Sequence, residues 1–597
     1  MRTSRSLQLF VLGLVLVLVG GLLAAWTQSS GGQVRIRDVR FTGANGQQLS
    51  ALLYVPGGVS AEKPAPGILA VHGYINSREV QSDFALEFAR RGYVVLSLDQ
   101  AGHGFSDAPA FVSGYGGPAG LAYLRGLDLV DKNNIGLEGH SMGGWTVLSA
   151  AAAYPDGYKA MVLEGSSTGS GRAPEGTLTY PRNLALVFSQ YDEFSQLMWD
   201  VPRAKDVTSS PKLQKVFGTT ETVQPGKVYG DPAAGTARVL YTPATTHPGD
   251  HLSHEAIGHA LDWFGRTLTG GTPLPASNQV WHWNEVGTTL GWLGFIALVL
   301  GTGGLLLHTR SFEGLRRAPS APRGLTGAGW WFSALVMLAL PIATFFPLFR
   351  WAGNVLKPSA LWPQSITNQI MVWALVNTLV SLMLYLIWRA GAGRRAQAVT
   401  APTTPPDLAV AVDTAGAPLA TAPAPRRGNE VLGALAVALG AVGVGYLSLL
   451  LTNFLFKVDY RFWFVGLKPM TPTHLRMFLA YLIPFTLYAL MTATVLHNQM
   501  RRHARGSMLT NALLLAGGFL LFLAVQYGTL LTRGQLFTPG EPLNVIVAIQ
   551  FLPILAILGV FMTYFARRTD RPYLGAFVSA LFLTWYIVAG QATQFPL

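Results

Sequence analysis

Cysteine is absent from the 597 residues, and charged side chains make up only 12% of them against 50% hydrophobic ones. The first absence excludes disulfides, thiolate nucleophiles, iron–sulfur clusters and any zinc site built on Cys. It leaves the compartment open, because an exported chain needs no disulfide. The second is a deep shortfall, since soluble chains carry roughly 25% charged residues, and it requires long stretches that are buried or face lipid. Acidic residues are scarce in one half only: residues 1–276 hold 21 basic and 22 acidic side chains, residues 277–597 hold 22 and 8. The excess positive charge therefore sits among the apolar runs, where Lys and Arg set topology, and no nucleic-acid partner is expected. A chain of this length also exceeds one compact domain.

Residues 7–26 carry no charge and follow Arg2 and Arg5. About 20 apolar residues span a bilayer as a helix, whereas the core of a cleaved signal peptide is typically about 7–15. Trp26-Thr27-Gln28 also interrupts the small residues a cleavage site needs, so a retained anchor is expected. Eight further apolar runs, near residues 286–307, 330–349, 370–388, 431–454, 477–497, 509–531, 545–565 and 574–592, predict nine spans in all. Eight or ten stay open, because the run at 431–454 is Gly-rich and the last is short. With the N-terminus inside, the inner segments collect 17 Lys and Arg and the short outer loops seven. That bias predicts a multi-pass protein of the cell membrane, with a cytoplasmic N-terminus and an extracytoplasmic soluble domain and C-terminus.

The expected organisation is an anchor over residues 1–32, a soluble domain over 33–271, a linker with spans two to four over 272–389, and spans five to nine over 429–597. Residues 390–428, rich in Ala, Pro and Thr, read as a disordered inner linker. Tyr460-Arg461-Phe462-Trp463-Phe464 reads as an interfacial aromatic belt or as a contact with the soluble domain. The mid-span polar residues Asn377, Gln526 and Gln550 are amides that helix–helix hydrogen bonds explain, and Gly440 and Gly445 suit close helix packing.

In the soluble domain, residues 33–42 and 49–55 alternate as an antiparallel strand pair. Short apolar strands follow at 67–71, 93–98, 135–138, 160–163, 184–188 and 238–241, with helix-patterned segments such as 80–91 and 145–154 between them. Alternating strand and helix predicts a mostly parallel sheet covered on both faces, with catalytic groups at the carboxyl ends of its strands. The strand at 135–138 runs into Gly139-His140-Ser141-Met142-Gly143 and then straight into a helix. This G-x-S-x-G lets the backbone make a sharp turn that presents Ser141, while the helix N-terminus offers amides to a developing oxyanion.

With that motif in place, the domain resembles an α/β-hydrolase, closest to the dienelactone hydrolase and acyl-esterase branch, over residues 33–268. His72-Gly73-Tyr74 is similar to the oxyanion-loop HG of that family, and Asp99-Gln100-Ala101-Gly102-His103-Gly104-Phe105-Ser106 to its D-x-x-G-x-G-x-S turn. The resemblance implies an α/β-hydrolase fold fused to an all-α polytopic membrane domain. It also implies that the segment ending at Asp192 delivers the acid and Tyr241-Thr242-Pro243-Ala244-Thr245-Thr246-His247 the base, in the chain order Ser…Asp…His. The backbone N–H groups of Tyr74 and Met142 are then the expected oxyanion hole. Glu164, at the end of the sixth strand, is the alternative acid and His251 the alternative base. Asp99 more often pins its own turn, and His72 and His140 are expected to be structural.

His254-Glu255-Ala256-Ile257-Gly258-His259 has one residue too many for H-E-x-x-H, so its histidines point about 140° apart on a helix; no metal and no other cofactor is expected. The segment at 193–236, with Phe194, Leu197, Met198 and Trp199, is expected at the pocket rim or against the membrane half. These readings predict a serine hydrolase of a small-molecule or lipid ester, with acylated envelope material among the substrates and membrane lipids as partners. The alternative is a transporter or assembly platform carrying a non-catalytic hydrolase-like domain. Protein partners and a homo-oligomer stay open.

Overall fold

A computed structural model describes residues 2–317, 325–399, 427–501 and 504–596. Helix α1 (Arg2–Gln28) leads into eight strands: β1 (Val34–Thr42), β2 (Gln48–Pro56), β3 (Ala65–Val71), β4 (Val94–Leu98), β5 (Val130–His140), β6 (Ala160–Glu164), β7 (Leu184–Val187) and β8 (Arg238–Tyr241). They form one sheet in the order β1-β2-β4-β3-β5-β6-β7-β8. The β1–β2 and β2–β4 pairs are antiparallel and all the others parallel. The edge strand β1 mixes buried and exposed positions, whereas β3 and β6 are buried throughout, as strands covered on both faces must be.

Successive residues of a strand point to opposite faces, and two cores result. Ile68, Val95 and Val239 pack against Phe84 and Phe88 of α2 (Ser82–Arg90) on one face. Leu69, Leu96 and Leu137 pack against α3 (Gly117–Gly126) and α4 (Met142–Ala153) on the other. The short helices α5 (Ser195–Trp199) and α6 (Pro211–Phe217) extend the second core, and α7 (His254–Thr267) closes the first. One strand is longer than its apolar pattern predicts. β5 begins at Val130, because residues on its polar start pair with Ala65 and Pro66 beyond a register shift at Pro66/Gly67.

The remaining helices are α8 (Trp281–Leu306), α9 (Gly327–Val355), α10 (Ser365–Val399), α11 (Arg427–Phe456), α12 (Pro472–Asn498), α13 (Ser507–Arg533), α14 (Pro542–Thr569) and α15 (Tyr573–Gly590). A hairpin of β9 (Tyr460–Phe462) and β10 (Val465–Leu467) separates α11 from α12. Among the described residues, nine helices including α1 are long and apolar enough to cross a membrane, in agreement with the predicted spans. The stretch expected to be a disordered linker starts as helix, because α10 continues to Val399; residues 400–426 lie outside the described residues. Helix α1 lies against α8 so closely that a Cβ on Gly20 would sit 2.4 Å from the Gly287 carbonyl oxygen. Gly440 and Gly445 bring α11 equally near Leu306 and Phe295 of α8.

Two of the mid-span amides join helices, as expected: Asn377 donates to Thr344 of α9 at 3.0 Å, and Gln550 accepts from Tyr586 of α15. Gln526 instead donates to Thr538 at 2.8 Å and so pins the loop that follows its own helix.

The two halves share buried polar chemistry. Glu87 of α2 accepts the Val280 and Trp281 amides at 2.6 and 3.1 Å, so a carboxylate of the sheet domain caps the positive end of α8. Arg91 secures the preceding linker by donating to the Pro275 and Asn278 carbonyls. The β9–β10 hairpin wedges between α8 and the sheet domain. Its Asp459–Arg461 pair is buried, and the Trp463 indole donates to the Pro248 carbonyl at 2.6 Å. The predicted aromatic belt is therefore a contact between the halves.

Candidate active site

The chain between β5 and α4 turns at Ser141, whose φ of 55° and ψ of −121° are strained for a side-chain-bearing residue; such positions cost about 1–3 kcal/mol and persist only where neighbours hold them. The Ser141 amide donates to the Glu164 carbonyl at 2.7 Å, which anchors the turn to the end of β6. The flanking glycines are required by contact. A Cβ on Gly139 would lie 2.3 Å from the Gly143 oxygen, and one on Gly143 2.1 Å from the Val71 oxygen. The motif thus acquires the strand–elbow–helix setting that its sequence only suggested.

Asp192 and His247 arrive from the loops after β7 and β8, brought side by side by the pairing of those strands. The His247 Nδ1–H donates to Asp192 Oδ2 at 2.8 Å, and Asp192 Oδ1 accepts the Phe194 amide at 2.7 Å. Both backbone groups of His247 are also held. Its amide donates to Glu193 Oε2 at 2.8 Å, and its carbonyl accepts from His140 Nε2 at 2.9 Å. Glu193 Oε1 in turn accepts the Tyr527 hydroxyl of α13 at 2.8 Å, which ties the base to the helical half.

Ser141 and His247 line one cavity of about 260 Å³, together with Tyr74, Met142 and His140. Ser141 Oγ makes no hydrogen bond among the described residues, and nucleophile–base contacts commonly tighten only around substrate. Met142 is the first residue of α4, where an amide has no intrahelical carbonyl to bond, and the Tyr74 amide makes no hydrogen bond among the described residues. Tyr74 and Met142, whose amides are the expected oxyanion donors, are both among the residues lining the cavity. Burial pushes the His247 imidazole down to about 4, so it is neutral near pH 7 and able to accept a proton. Burial, and then the neighbouring Asp250, push Asp192 upward, against the pull of the Phe194 amide.

The alternative residues do not join this pair. Neither carboxylate oxygen of Glu164 has a hydrogen-bond partner, and burial, Glu138 and Asp250 raise the group well above the usual carboxylate range. Glu164 therefore serves the elbow through its carbonyl. His251 borders the cavity with its ring 4.3 Å from that of His140, and neither of its nitrogens has a partner. Asp99 accepts the amides of Arg78 and Phe105 at 2.9 and 3.0 Å and so pins its own turn. His72 is held between the Gly73 carbonyl and the Gln100 amide.

Among the described residues no cluster of three or more His, Asp or Glu is placed to hold a metal ion. His259 stacks on Tyr241 at 4.0 Å, and His254 packs beside Trp281. Sequence reasoning missed Glu193 and Tyr527, and it missed Phe464, Leu543 and Ile546, which also line the cavity from the helical half. Two signals pointed this way: the aromatic run at 460–464, and the apolar start of the segment at 193–236, whose Phe194, Leu197 and Met198 do line the cavity.

The family model described as the alpha/beta hydrolase fold matches residues 66–287. With the sheet order and the nucleophile elbow, this makes the segment an α/β-hydrolase domain, fused to a helical domain with the length and apolarity to span a membrane. The quorum-quenching protein AidA of Acinetobacter baumannii (strain MDR-ZJ06) is 34% identical over 124 residues, which is 19% of this chain and 39% of AidA. The chain thus spans about two-fifths of the length of that relative. Among solved structures, the Pyrococcus furiosus esterase Pf2001 is 16% identical, with a TM-score of 0.30, covering 40% of this chain and 96% of its own. A predicted CIB-like hydrolase from Thermoplasma acidophilum is 14% identical, with a TM-score of 0.28, covering 39% and 99%. Both are likenesses of fold alone.

Proposed function

We propose that this protein is a membrane-bound serine hydrolase that cleaves a carboxylic ester through Ser141, His247 and Asp192. The observation that carries the reading is the Asp192-bonded imidazole bordering the same cavity as a serine held in a strained elbow. Ser141 Oγ attacks the ester carbonyl carbon while His247 Nε2 takes its proton. The carbonyl electron pair moves onto oxygen, facing the amides of Tyr74 and Met142; one such donor is typically worth about 3 kcal/mol of barrier. The C–O bond to the alcohol then breaks, and His247 returns the proton to the departing oxygen. Water, deprotonated by the same imidazole, attacks the acyl-serine, releases the carboxylic acid and restores Ser141. Asp192 keeps Nδ1 protonated and stabilises the imidazolium.

The charge bias of the loops supports an extracytoplasmic hydrolase domain and a cytoplasmic N-terminus. A fluorophosphonate probe tests the chemistry. Wild-type protein is expected to label and Ser141→Ala to lose the label while keeping its thermal unfolding midpoint. Equal labelling of the variant would overturn the assignment of the nucleophile.

A further inference from the structure

A cavity at the carboxyl ends of the strands needs a wall opposite Ser141, and here the helical half supplies it. Phe464, from the β9–β10 hairpin, and Leu543 and Ile546, from the first turns of α14, border the cavity that holds Ser141 and His247. Phe464 and Ile546 are each only 8% exposed. They pack into the core of the hydrolase domain, with Phe194, Met198 and Trp199, and not into the core of the helical half. From the hydrolase side the cavity is closed by Phe194, Met198 and Trp145.

The wall is registered to the reacting groups. Trp463, next to Phe464, donates to the carbonyl of Pro248, which follows the base, and its amide donates to Glu285 of α8 at 3.1 Å. Tyr527 of α13 reaches His247 through Glu193. An apolar wall at fixed distance from a nucleophile sorts substrates by the size of the group laid against it. Charged chains are excluded, because nothing on the wall would offset their lost hydration. An apolar cavity of ~150 Å³ holds a six-carbon ring, so about 260 Å³ accommodates roughly ten chain carbons on the same scale.

We infer that the helical half is the acyl-chain selector of this enzyme: Phe464, Leu543 and Ile546 form the far wall of a pocket for an uncharged acyl chain of about ten carbons. This rests on the hydrolase reading above and adds to it the substrate class and the residues that set it. The same chemistry is offered by a membrane lipid and by a free acyl ester.

The test uses the full chain in nanodiscs and p-nitrophenyl esters of two to sixteen carbons. The readout is the ratio of kcat/KM for the ten-carbon ester to that for acetate, which does not depend on how much of a sample is folded. The wild type is expected to favour ten carbons at least tenfold. Ile546→Trp should lower that ratio at least tenfold and move the optimum two or more carbons shorter, and Phe464→Ala should move it longer. Ratios and optima unchanged in both variants, or a wild type that prefers acetate, would overturn the proposal. Hydrolysis of didecanoyl phosphatidylglycerol in the same discs would identify the bilayer as the source of the chain. Its absence, with the p-nitrophenyl ester turned over, would identify a free ester. Chain binding is read separately in Ser141→Ala, by displacing dansyl-undecanoate with decanoic acid. Binding weakened at least tenfold by Ile546→Trp, in a protein whose wild type neither labels nor hydrolyses, would uphold the pocket and remove the hydrolase reading alone.

Discussion

Replacing Asp192 by Asn separates the two acids that the chain offers. The carboxylate is 1% exposed and accepts two hydrogen bonds, from His247 Nδ1 at 2.8 Å and from the Phe194 amide at 2.7 Å. An asparagine has one oxygen for these two donors. With that oxygen toward His247, the side-chain NH₂ faces the Phe194 N–H, and a buried donor left unpaired costs about 1–3 kcal/mol. With the oxygen toward Phe194, the NH₂ faces Nδ1 and drives the imidazole to carry its proton on Nε2, where it can no longer take one from Ser141. Either way the negative charge that stabilises the imidazolium is gone. A loss on the order of 10³–10⁴-fold follows, equivalent to ~4–5.5 kcal/mol of barrier. The assay is the second-order rate constant of fluorophosphonate labelling, with the unfolding midpoint measured alongside. Glu164→Gln is the matched control, because that side chain does not bond to His247, and its rate should stay within tenfold of wild type. A tenfold or smaller effect of Asp192→Asn, or an equal effect of Glu164→Gln, would refute the assignment.

His251→Phe should retain labelling within tenfold, because no carboxylate orients that ring; a loss comparable to that of His247→Ala would make His251 the base. The acid limb of the labelling rate should lie near pH 4, where burial has moved His247 from its ordinary 6.5. Because the folded value is depressed, the stability contribution of the neutral imidazole is complete above about 6.5 and is lost as pH falls towards 4. An acid limb at pH 6 or above would contradict a desolvated base. Gly165→Ala, with φ at 52° and a new Cβ 2.7 Å from His247 Nδ1, should abolish most labelling by displacing the ring, and an unchanged rate would show that the ring is placed otherwise.

Much of the hydrolase domain was legible because its signals are local. The apolar runs of β3 to β8 identify strands buried on both faces, and the Gly139–Gly143 turn combines a strand end, a contact-limited glycine pair and a helix start within five residues. Asp192 and His247 were singled out only through the resemblance of their segments to those that carry the acid and the base in α/β-hydrolases. What escaped lies at long separation or in polar sequence. The start of β5 at Val130 carries Asp, Lys and Asn and is held in the sheet by its neighbours. Glu193 looks like one more loop carboxylate until Tyr527 is found against it. Of the wall residues, Ile546 belongs to a run so apolar that its lipid-facing and pocket-facing sides read alike, and Leu543 lies just before that run.

The carboxylate of Glu87, closing the front of α8, has a bearing on how the molecule can be handled. Severed after Gly271, the sheet portion would keep that acid with only Arg90 and Arg91 to answer it and would lose the two amides it now receives. The cut would also remove Phe464 and Ile546 from beside Phe194 and Met198 in the cavity that Ser141 borders. A preparation that keeps this cavity walled therefore carries the sheet and the helix bundle together, and the detergent or lipid that holds the bundle in solution belongs among the variables of any assay, since Phe464, Leu543 and Ile546 of that bundle line the space beside Ser141.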